Sequence, residues 1–190
     1  ITAGSGIGKS SFCRQLATHL LSRNERVGYL ALEESNHRTA LGLMASHLGH
    51  PYHLGEHDRK TLTDAYEKTL ANWNLFLFDG FGSYDPDVIY QRIEYLACGL
   101  DTKIIFLDHL SILLSGLEGD ERRMLDQTMT KLRSLVERTG IALFLVSHLR
   151  RAGGDVNHEE GGRVTLGQLR GSASIAQLSD SVIALERNQQ

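Results

Sequence analysis

The chain alternates between short apolar runs and longer segments whose apolar residues recur every three or four positions. In the longest of these segments, 121–139, Leu125, Met129 and Leu132 fall on one helical face. The apolar runs, such as 27–32, do not alternate with polar residues, which is typical of strands buried on both faces. The pattern therefore predicts an α/β fold, with a mostly parallel sheet covered by helices on both faces.

The same patterns divide the chain into elements. We expect helices over 11–23, 35–48, 61–73, 86–99, 121–139 and 166–178, and strands over 27–32, 74–78, 103–108, 141–146 and 181–185. Ser35 or Asn36 is the expected N-cap of the second helix, and Pro86 takes the first position of the fourth. Functional residues are expected where the strands end, because ligands of such sheets bind at the carboxyl ends of strands.

Composition suits one globular domain over residues 1–190. The chain is 41% hydrophobic, enough for a sizeable core, and its net charge of −3 leaves room only for a local nucleic-acid patch. Two isolated cysteines, Cys13 and Cys98, favour free thiols in a reducing compartment. No apolar run approaches the ~18 residues of a membrane span, so we expect a cytoplasmic protein with no membrane partner.

A segment near the start of the chain has the spacing of a phosphate-binding P-loop. Gly8, Lys9 and Ser10 match the end of the pattern G-x-x-x-x-G-K-[ST], and Ala3 stands at its first glycine. A simple glycine-rich turn would not explain a Lys-Ser pair followed by a helical pattern. Lys9 is expected to reach the β- and γ-phosphates of a nucleotide, and Ser10 to hold Mg²⁺.

The glycines of this loop are expected to let the backbone adopt positive φ, so that its N–H groups point at phosphate oxygens. The nucleotide-binding positions of the loop are Gly4, Ser5, Gly6 and Gly8. No initiator Met is present, and only Ile1 and Thr2 precede the loop, although such a loop needs a strand of ~5 residues before it. We therefore expect the sequence to be a piece of a longer chain.

Acidic residues follow two of the predicted strands. Asp108 ends an aliphatic strand, as in a Walker B motif, and is assigned to the Mg²⁺ site, whereas Asp79 is assigned a structural role. Glu33 and Glu34 end the strand after the P-loop helix, and adjacent side chains on a strand point to opposite faces. We assign Glu33 as the base for the attacking water and Glu34 as a residue that supports the next helix.

His148 closes the strand 141–146 and is a candidate to hydrogen-bond a γ-phosphate, whereas His109 beside Asp108 has a weaker case. The loop after His148 carries a double arginine, Arg150 and Arg151, which suits a nucleic-acid backbone. Over 149–163, however, three arginines balance three carboxylates. A solvated surface loop remains an equal alternative on composition alone.

Taken in order, these stretches resemble the RecA-like helicase domain of the DnaB-type replicative helicases, most closely the branch of phage primase–helicases. The resemblance spans essentially the whole chain and is carried by the P-loop, Leu32-Glu33-Glu34-Ser35, Ile105-Phe106-Leu107-Asp108-His109, Gly119-Asp120-Glu121-Arg122, Ser147-His148-Leu149, Leu169-Arg170-Gly171-Ser172, Gln177-Leu178-Ser179-Asp180 and Glu186-Arg187-Asn188. Each motif alone is modest, but the ordered set is specific.

The resemblance implies a ring-shaped homo-oligomer, typically a hexamer, that hydrolyses ATP or dTTP with Mg²⁺ and translocates on single-stranded DNA, in the bacterial cytosol if a phage encodes it. It also implies a primase partner, fused or separate. By position, Glu33, Asp108 and His148 would be the base, the Walker B acid and the phosphate sensor. Further implied roles are DNA contact for Arg150 and Arg151, coupling of nucleotide to DNA for Arg170 and Gln177, and stacking on the base for Arg187.

Three departures and two alternatives accompany the resemblance. Ala3 replaces the first glycine of the P-loop, and the neutral charge of the loop after His148 weakens its assignment to DNA. The chain also stops at Gln190, where the family continues to an arginine finger. We therefore expect truncation at both ends and weak hydrolysis by the isolated fragment. The alternatives are a recombinase or KaiC-like regulatory ATPase, which shares the P-loop and the strand-end Glu, and a nucleotide-gated binding module without useful turnover.

Overall fold

The structure, a computed structural model, describes residues 1–80, 85–115, 120–149, 164–169 and 173–187, apart from the side chains of Ser115 and Glu121. Its strands are β1 Thr2–Ala3, β2 Val27–Ala31, β3 Leu75–Leu77, β4 Ile104–Asp108, β5 Ala142–Leu145, β6 Ser147–His148 and β7 Ala184–Leu185. Its helices are α1 Lys9–Leu21, α2 Asn36–Leu48, α3 Arg59–Lys68, α4 Pro86–Glu94, α5 Leu110–Ser115, α6 Glu121–Thr139 and α7 Ser174–Leu178.

The strands form two parallel sheets that meet along one extended stretch of chain. Four strands lie in the order β3-β2-β4-β5, and three in the order β6-β1-β7. Strands β5 and β6 are separated by Val146 alone, whose N–H donates to the carbonyl of Leu107 in β4. The next N–H, that of Ser147, donates to the carbonyl of Ile1. The chain therefore passes from pairing with β4 to pairing with β1 within two residues.

Residues alternate between the two faces of the four-stranded sheet, and both faces are buried. On one face Leu30 and Ile105 pack in a cluster with residues of α4 and α6, including Ile89 and Met129. The other face packs with α1 and α2, through the cluster Cys13, Ala17, Leu21, Val27, Tyr29, Ala31, Leu43, Phe106 and Val146. The predicted sheet with helices on both faces is confirmed.

Three aromatic rings cross the middle of this sheet. The rings of Tyr29 and Phe106 stack with centroids 5.4 Å apart, and those of Phe106 and Phe144 with centroids 4.7 Å apart. Neighbouring parallel strands lie about 4.8 Å apart, so rings at matching positions of β2, β4 and β5 meet face to face. Phe106, at the centre, is completely buried.

Several helix boundaries agree with the sequence prediction because capping residues define them. The Ser35 hydroxyl accepts from the N–H of Arg38 at the start of α2, and Pro86 opens α4. Helix α6 has the predicted bounds, between the Asp120 cap and Gly140, which adopts a left-handed conformation.

Other elements differ from the prediction. The predicted helix 61–73 begins earlier, after the Asp58 cap, and ends at Lys68, followed by a short 3₁₀ turn, Leu70–Asn72. Helix α5 was not predicted, because its apolar run Leu110–Ser115 is too short to show a period. The predicted helix 166–178 is instead a 3₁₀ turn at Leu166–Gln168 followed by α7.

The cysteines and the helices of the described part of the chain bear on two further expectations. Both cysteines are free, with Cys13 buried and Cys98 exposed, and burial raises the pKa of the Cys13 thiol to about 12. Among the helices of the described ranges, none combines the length and the apolar character needed to cross a bilayer.

The aromatic stack leads to a stability prediction. Replacing Phe106 by Ala should lower the free energy of unfolding by ~3–5 kcal/mol, because the sheet cannot close around the lost ring. Urea unfolding monitored by circular dichroism measures this change. The control is Leu54→Ala, at a position 60% exposed, which should change it by less than about 0.5 kcal/mol. Equal effects of the two substitutions would contradict the importance of the stack.

Candidate active site

The P-loop joins strand β1 to helix α1. Gly6 and Gly8 have φ values of 70° and 110°, in the left-handed region that favours glycine, and α1 begins directly after Gly8. The φ of Gly4 lies outside this region, so the expectation of a positive φ there was wrong. Ala3 belongs to β1 and is buried, which explains how the loop accommodates Ala at its first glycine position.

Lys9 is buried against the loop that precedes it. Its Nζ donates to the carbonyl of Ala3 at 3.2 Å and to that of Gly4 at 3.1 Å. Burial lowers the pKa of this ammonium, while the nearby carboxylates Asp108 and Glu33 act in the opposite direction. The side chain of Lys9 therefore turns back over the loop, where a bound phosphate would meet it.

The hydroxyl of Ser10 and the carboxylate of Asp108 are in direct contact. Ser10 Oγ donates to Asp108 Oδ2 at 2.7 Å, although the residues are 98 positions apart in the chain. Burial raises the pKa of Asp108 above its usual range, and the hydrogen bond from Ser10 acts against this shift. Asp79, by contrast, is exposed beyond the edge strand β3.

This pair of oxygens suits Mg²⁺. Magnesium prefers oxygen ligands and keeps several of its waters, so one or two protein oxygens suffice when phosphates supply the rest. Ser10 and Asp108 line an open cavity of about 570 Å³, which is large enough for the phosphate part of a nucleotide. The donor set and the space beside it therefore fit the metal that the sequence predicts.

The two adjacent glutamates have different surroundings. The Nη2 atom of Arg14 lies 2.6 Å from both carboxylate oxygens of Glu34, and the Thr39 hydroxyl donates to the same side chain at 2.9 Å. A Cβ on Gly42 would come within 2.7 Å of the Arg14 guanidinium, so a glycine makes room for this pair. Glu34 is thus held between α1 and α2, whereas Ser35 caps the helix.

Glu33 faces the cavity instead. Its side chain is 51% exposed, against 17% for Glu34. One of its oxygens accepts a hydrogen bond from Nε2 of His109, whose side chain is almost fully buried. From the sequence, His109 has only a weak case as a functional residue, yet in the structure it contacts both Glu33 and His148. Its position directly after Asp108 was the available signal.

His148 completes this group. It pairs in register with Ala3, at the end of β1, and its ring meets that of His109 edge to face, with centroids 4.2 Å apart. Glu33, His109 and His148 each place one potential metal-ligand atom within 4.8 Å of the others. Two of these three atoms are imidazole nitrogens, which suit transition metals, so the oxygen pair of Ser10 and Asp108 is the better site for Mg²⁺.

The described lining of the cavity consists of Ser10, Ala31, Glu33, Glu34, Ser35, Arg38 and Asp108. Arg38 was not predicted; its side chain is 70% exposed, and its Nε lies 3.8 Å from Glu34. Gln177 in α7 and Arg187 after β7 are both exposed and are not among these lining residues. The remaining predicted positions, Arg150, Arg151 and Arg170, lie outside the described residues.

Comparison with known proteins gives one family over the whole chain. The family described as "DnaB-like helicase C terminal domain" matches residues 1–190. The DNA helicase/primase of Enterobacteria phage T3 is 38% identical over 200 residues, which cover all of this chain and 35% of that protein. The chain thus spans about a third of the length of this relative.

Solved structures agree on the fold. One solved ATPase domain superposes with a TM-score of 0.78 at 18% identity, covering 98% of this chain and 68% of that one. A DnaB-like replicative helicase, whose structure is described with its interactions with primase, gives a TM-score of 0.74 at 17% identity, covering 94% of this chain and 44% of that one. At such low identities the likeness shows the fold, and it agrees with the predicted RecA-like α/β core.

The contacts of Lys9 lead to a binding prediction. Lys9→Ala should weaken the affinity for Mg²⁺-ATP by about 10- to 100-fold, because a charge-assisted hydrogen bond to phosphate is lost. Isothermal titration calorimetry measures this affinity. The matched control is Lys60→Ala, which removes a lysine 86% exposed on α3 and should leave the affinity unchanged. Normal affinity in Lys9→Ala would remove Lys9 from the nucleotide site.

Proposed function

The chain belongs to the family of DnaB-like helicase C-terminal domains, and on this basis we propose that the protein hydrolyses a nucleoside triphosphate to move along single-stranded DNA and unwind duplex at a replication fork. The observation that carries the proposal is the contact between Ser10 and Asp108 beside Glu33, on one open cavity. This arrangement supplies an oxygen pair for Mg²⁺ and a carboxylate for the attacking water.

The proposed roles follow from these positions. Lys9 and the loop residues Gly4, Ser5, Gly6 and Gly8 bind the phosphates of ATP or dTTP, and Ser10 and Asp108 hold Mg²⁺. When bound, Mg²⁺ supplies positive charge that stabilises the phosphate oxygens in the transition state. Glu33 accepts a proton from the water that attacks the γ-phosphate. Its exposed carboxylate, next to the metal ligands, supports this assignment.

The remaining assignments concern the coupling of hydrolysis to DNA. His148 reports the γ-phosphate to the loop that follows it, in which Arg150 and Arg151 contact the phosphates of single-stranded DNA. Arg170 and Gln177 couple the nucleotide interface to DNA, and Arg187 packs on the nucleotide base. The proximity of His148 to Glu33 supports a sensor at this strand end.

The proposed partners follow from the family and its relatives. The protein forms a homo-oligomeric ring, a hexamer by family resemblance, whose neighbouring subunits complete each nucleotide site. The T3 relative is a helicase/primase, and the structure of the DnaB-like replicative helicase is described together with its interactions with primase. We therefore propose a fused or separate primase as a partner and, for a phage-encoded protein, the bacterial cytosol as its location.

The test measures NTP turnover by the complete protein with and without single-stranded DNA, together with strand separation on a forked duplex. Strong stimulation by DNA with strand separation is the expected result. Stimulation by DNA without unwinding would instead indicate a recombinase-like ATPase. A turnover rate that does not change when DNA is added would instead indicate a KaiC-like regulatory ATPase. A protein that binds nucleotide without turnover would be a nucleotide-gated binding module.

The assignment of Glu33 leads to a kinetic prediction. In the complete protein, Glu33→Gln should lower kcat by ~10²–10⁴ while nucleotide binding is retained, because the amide cannot accept the proton of the attacking water. Steady-state phosphate release gives kcat, and calorimetry gives the affinity. Glu67→Gln, which neutralises an exposed carboxylate on α3, is the control with normal turnover. A normal kcat in Glu33→Gln would transfer the role of base to another residue.

A further inference from the structure

We propose that His109 is a positioning residue that holds Glu33 in place beside the nucleotide cavity and connects it physically to His148; this inference rests on the proposed function. His109 directly follows Asp108 at the end of β4. Its side chain is 6% exposed, so a fixed, packed ring forms one side of the contact with the exposed Glu33.

The hydrogen bond to Glu33 accounts for the polar character of this buried ring. An ionised carboxylate can only accept, so the proton of the bond lies on Nε2 of His109. The other ring nitrogen, Nδ1, is buried and has no hydrogen-bond partner among the described residues. Burying a polar atom without a partner costs free energy. The ring is therefore poorly explained as a packing residue and well explained by its contact with Glu33.

Glu33 depends on the contact with His109, whereas the neighbouring Glu34 is fixed by other side chains. Glu34 is fixed by the guanidinium of Arg14 and the hydroxyl of Thr39, and is largely buried. Glu33 follows β2 with half of its side chain in solvent, where a free carboxylate samples several rotamers. The bond from His109 engages Oε1 and leaves Oε2 available to accept from water. Such restriction of a catalytic group is a recognised source of rate acceleration.

The His109 ring also contacts the ring of His148. The two rings are perpendicular, at 85°, with centroids 4.2 Å apart. His148 is fixed in turn by the register between β6 and β1, which pairs it with Ala3 directly before the P-loop. A displacement of His148 therefore acts on His109 and, through it, on Glu33. His109 thus contacts both the proposed base and the proposed phosphate sensor.

The experiment uses two substitutions of His109 in the complete protein. His109→Phe keeps a ring of similar size but has no donor, whereas the amide of His109→Gln can donate from nearly the position of Nε2. We expect His109→Phe to lower kcat about 10- to 100-fold with little change in KM or nucleotide affinity. His109→Gln should restore most of the lost kcat, because it restores the donor.

The control for the effect of replacing a ring-packed histidine by phenylalanine is His47→Phe. His47 also makes an edge-to-face ring contact, with Trp73 at 5.1 Å, but it lies on α2 outside the lining of the cavity. This variant should keep normal kcat. Thermal unfolding of all three variants shows whether each remains folded. If His109→Gln is folded and as slow as His109→Phe, or if His109→Phe has normal kcat, the positioning role is overturned.

A double-mutant cycle with Glu33→Gln separates this inference from the proposed function. If His109 acts through Glu33, His109→Phe should cause no further loss of kcat in the Glu33→Gln background. An independent, multiplicative loss there would overturn the positioning role. Normal kcat in Glu33→Gln alone would overturn Glu33 as the base, and with it the proposed mechanism. An impaired Glu33→Gln beside a normal His109→Phe would overturn only the role of His109.

Discussion

The register of the parallel strands is the constraint on which the site depends. Ala31 pairs with Asp108 between β2 and β4, and Ala3 pairs with His148 between β1 and β6. All these strands run in the same direction, so their carboxyl ends lie along one edge. A shift of a single residue would turn every side chain of a strand to the opposite face and separate these groups.

The buried core is what maintains this register. Strand β2 is buried along its whole length, and its neighbours place side chains alternately against helices on each face. Polar side chains replace apolar ones where the strands end, at Glu33 and Asp108. The buried apolar core therefore extends up to the edge of the cavity. The entropic cost of ordering these polar side chains is thus offset by the burial of apolar side chains a few residues away.

Local signals made much of this predictable from the sequence. The P-loop, the acidic residue after an aliphatic strand and the cap at Ser35 each depend on a few neighbouring residues, and the structure contains the corresponding elements. The contacts that escaped prediction join distant positions. Arg14 in α1 contacts Glu34, which lies 20 residues away between β2 and α2, and Glu33 contacts His109 from 76 residues away. No periodicity encodes such contacts, because the fold alone creates them.

The passage of the chain from one sheet to the other at Val146 has a consequence for the lifetime of the protein. His148 lies in β6 and Ser10 follows the loop after β1, whereas Asp108 ends β4 and His109 comes directly after it. The contacts of the site therefore join the two sheets. A molecule bound across this boundary would stabilise both sides together, by an amount that grows with its concentration. Proteases act on opened chains, so the supply of nucleotide in the cell would help to set how long the protein survives.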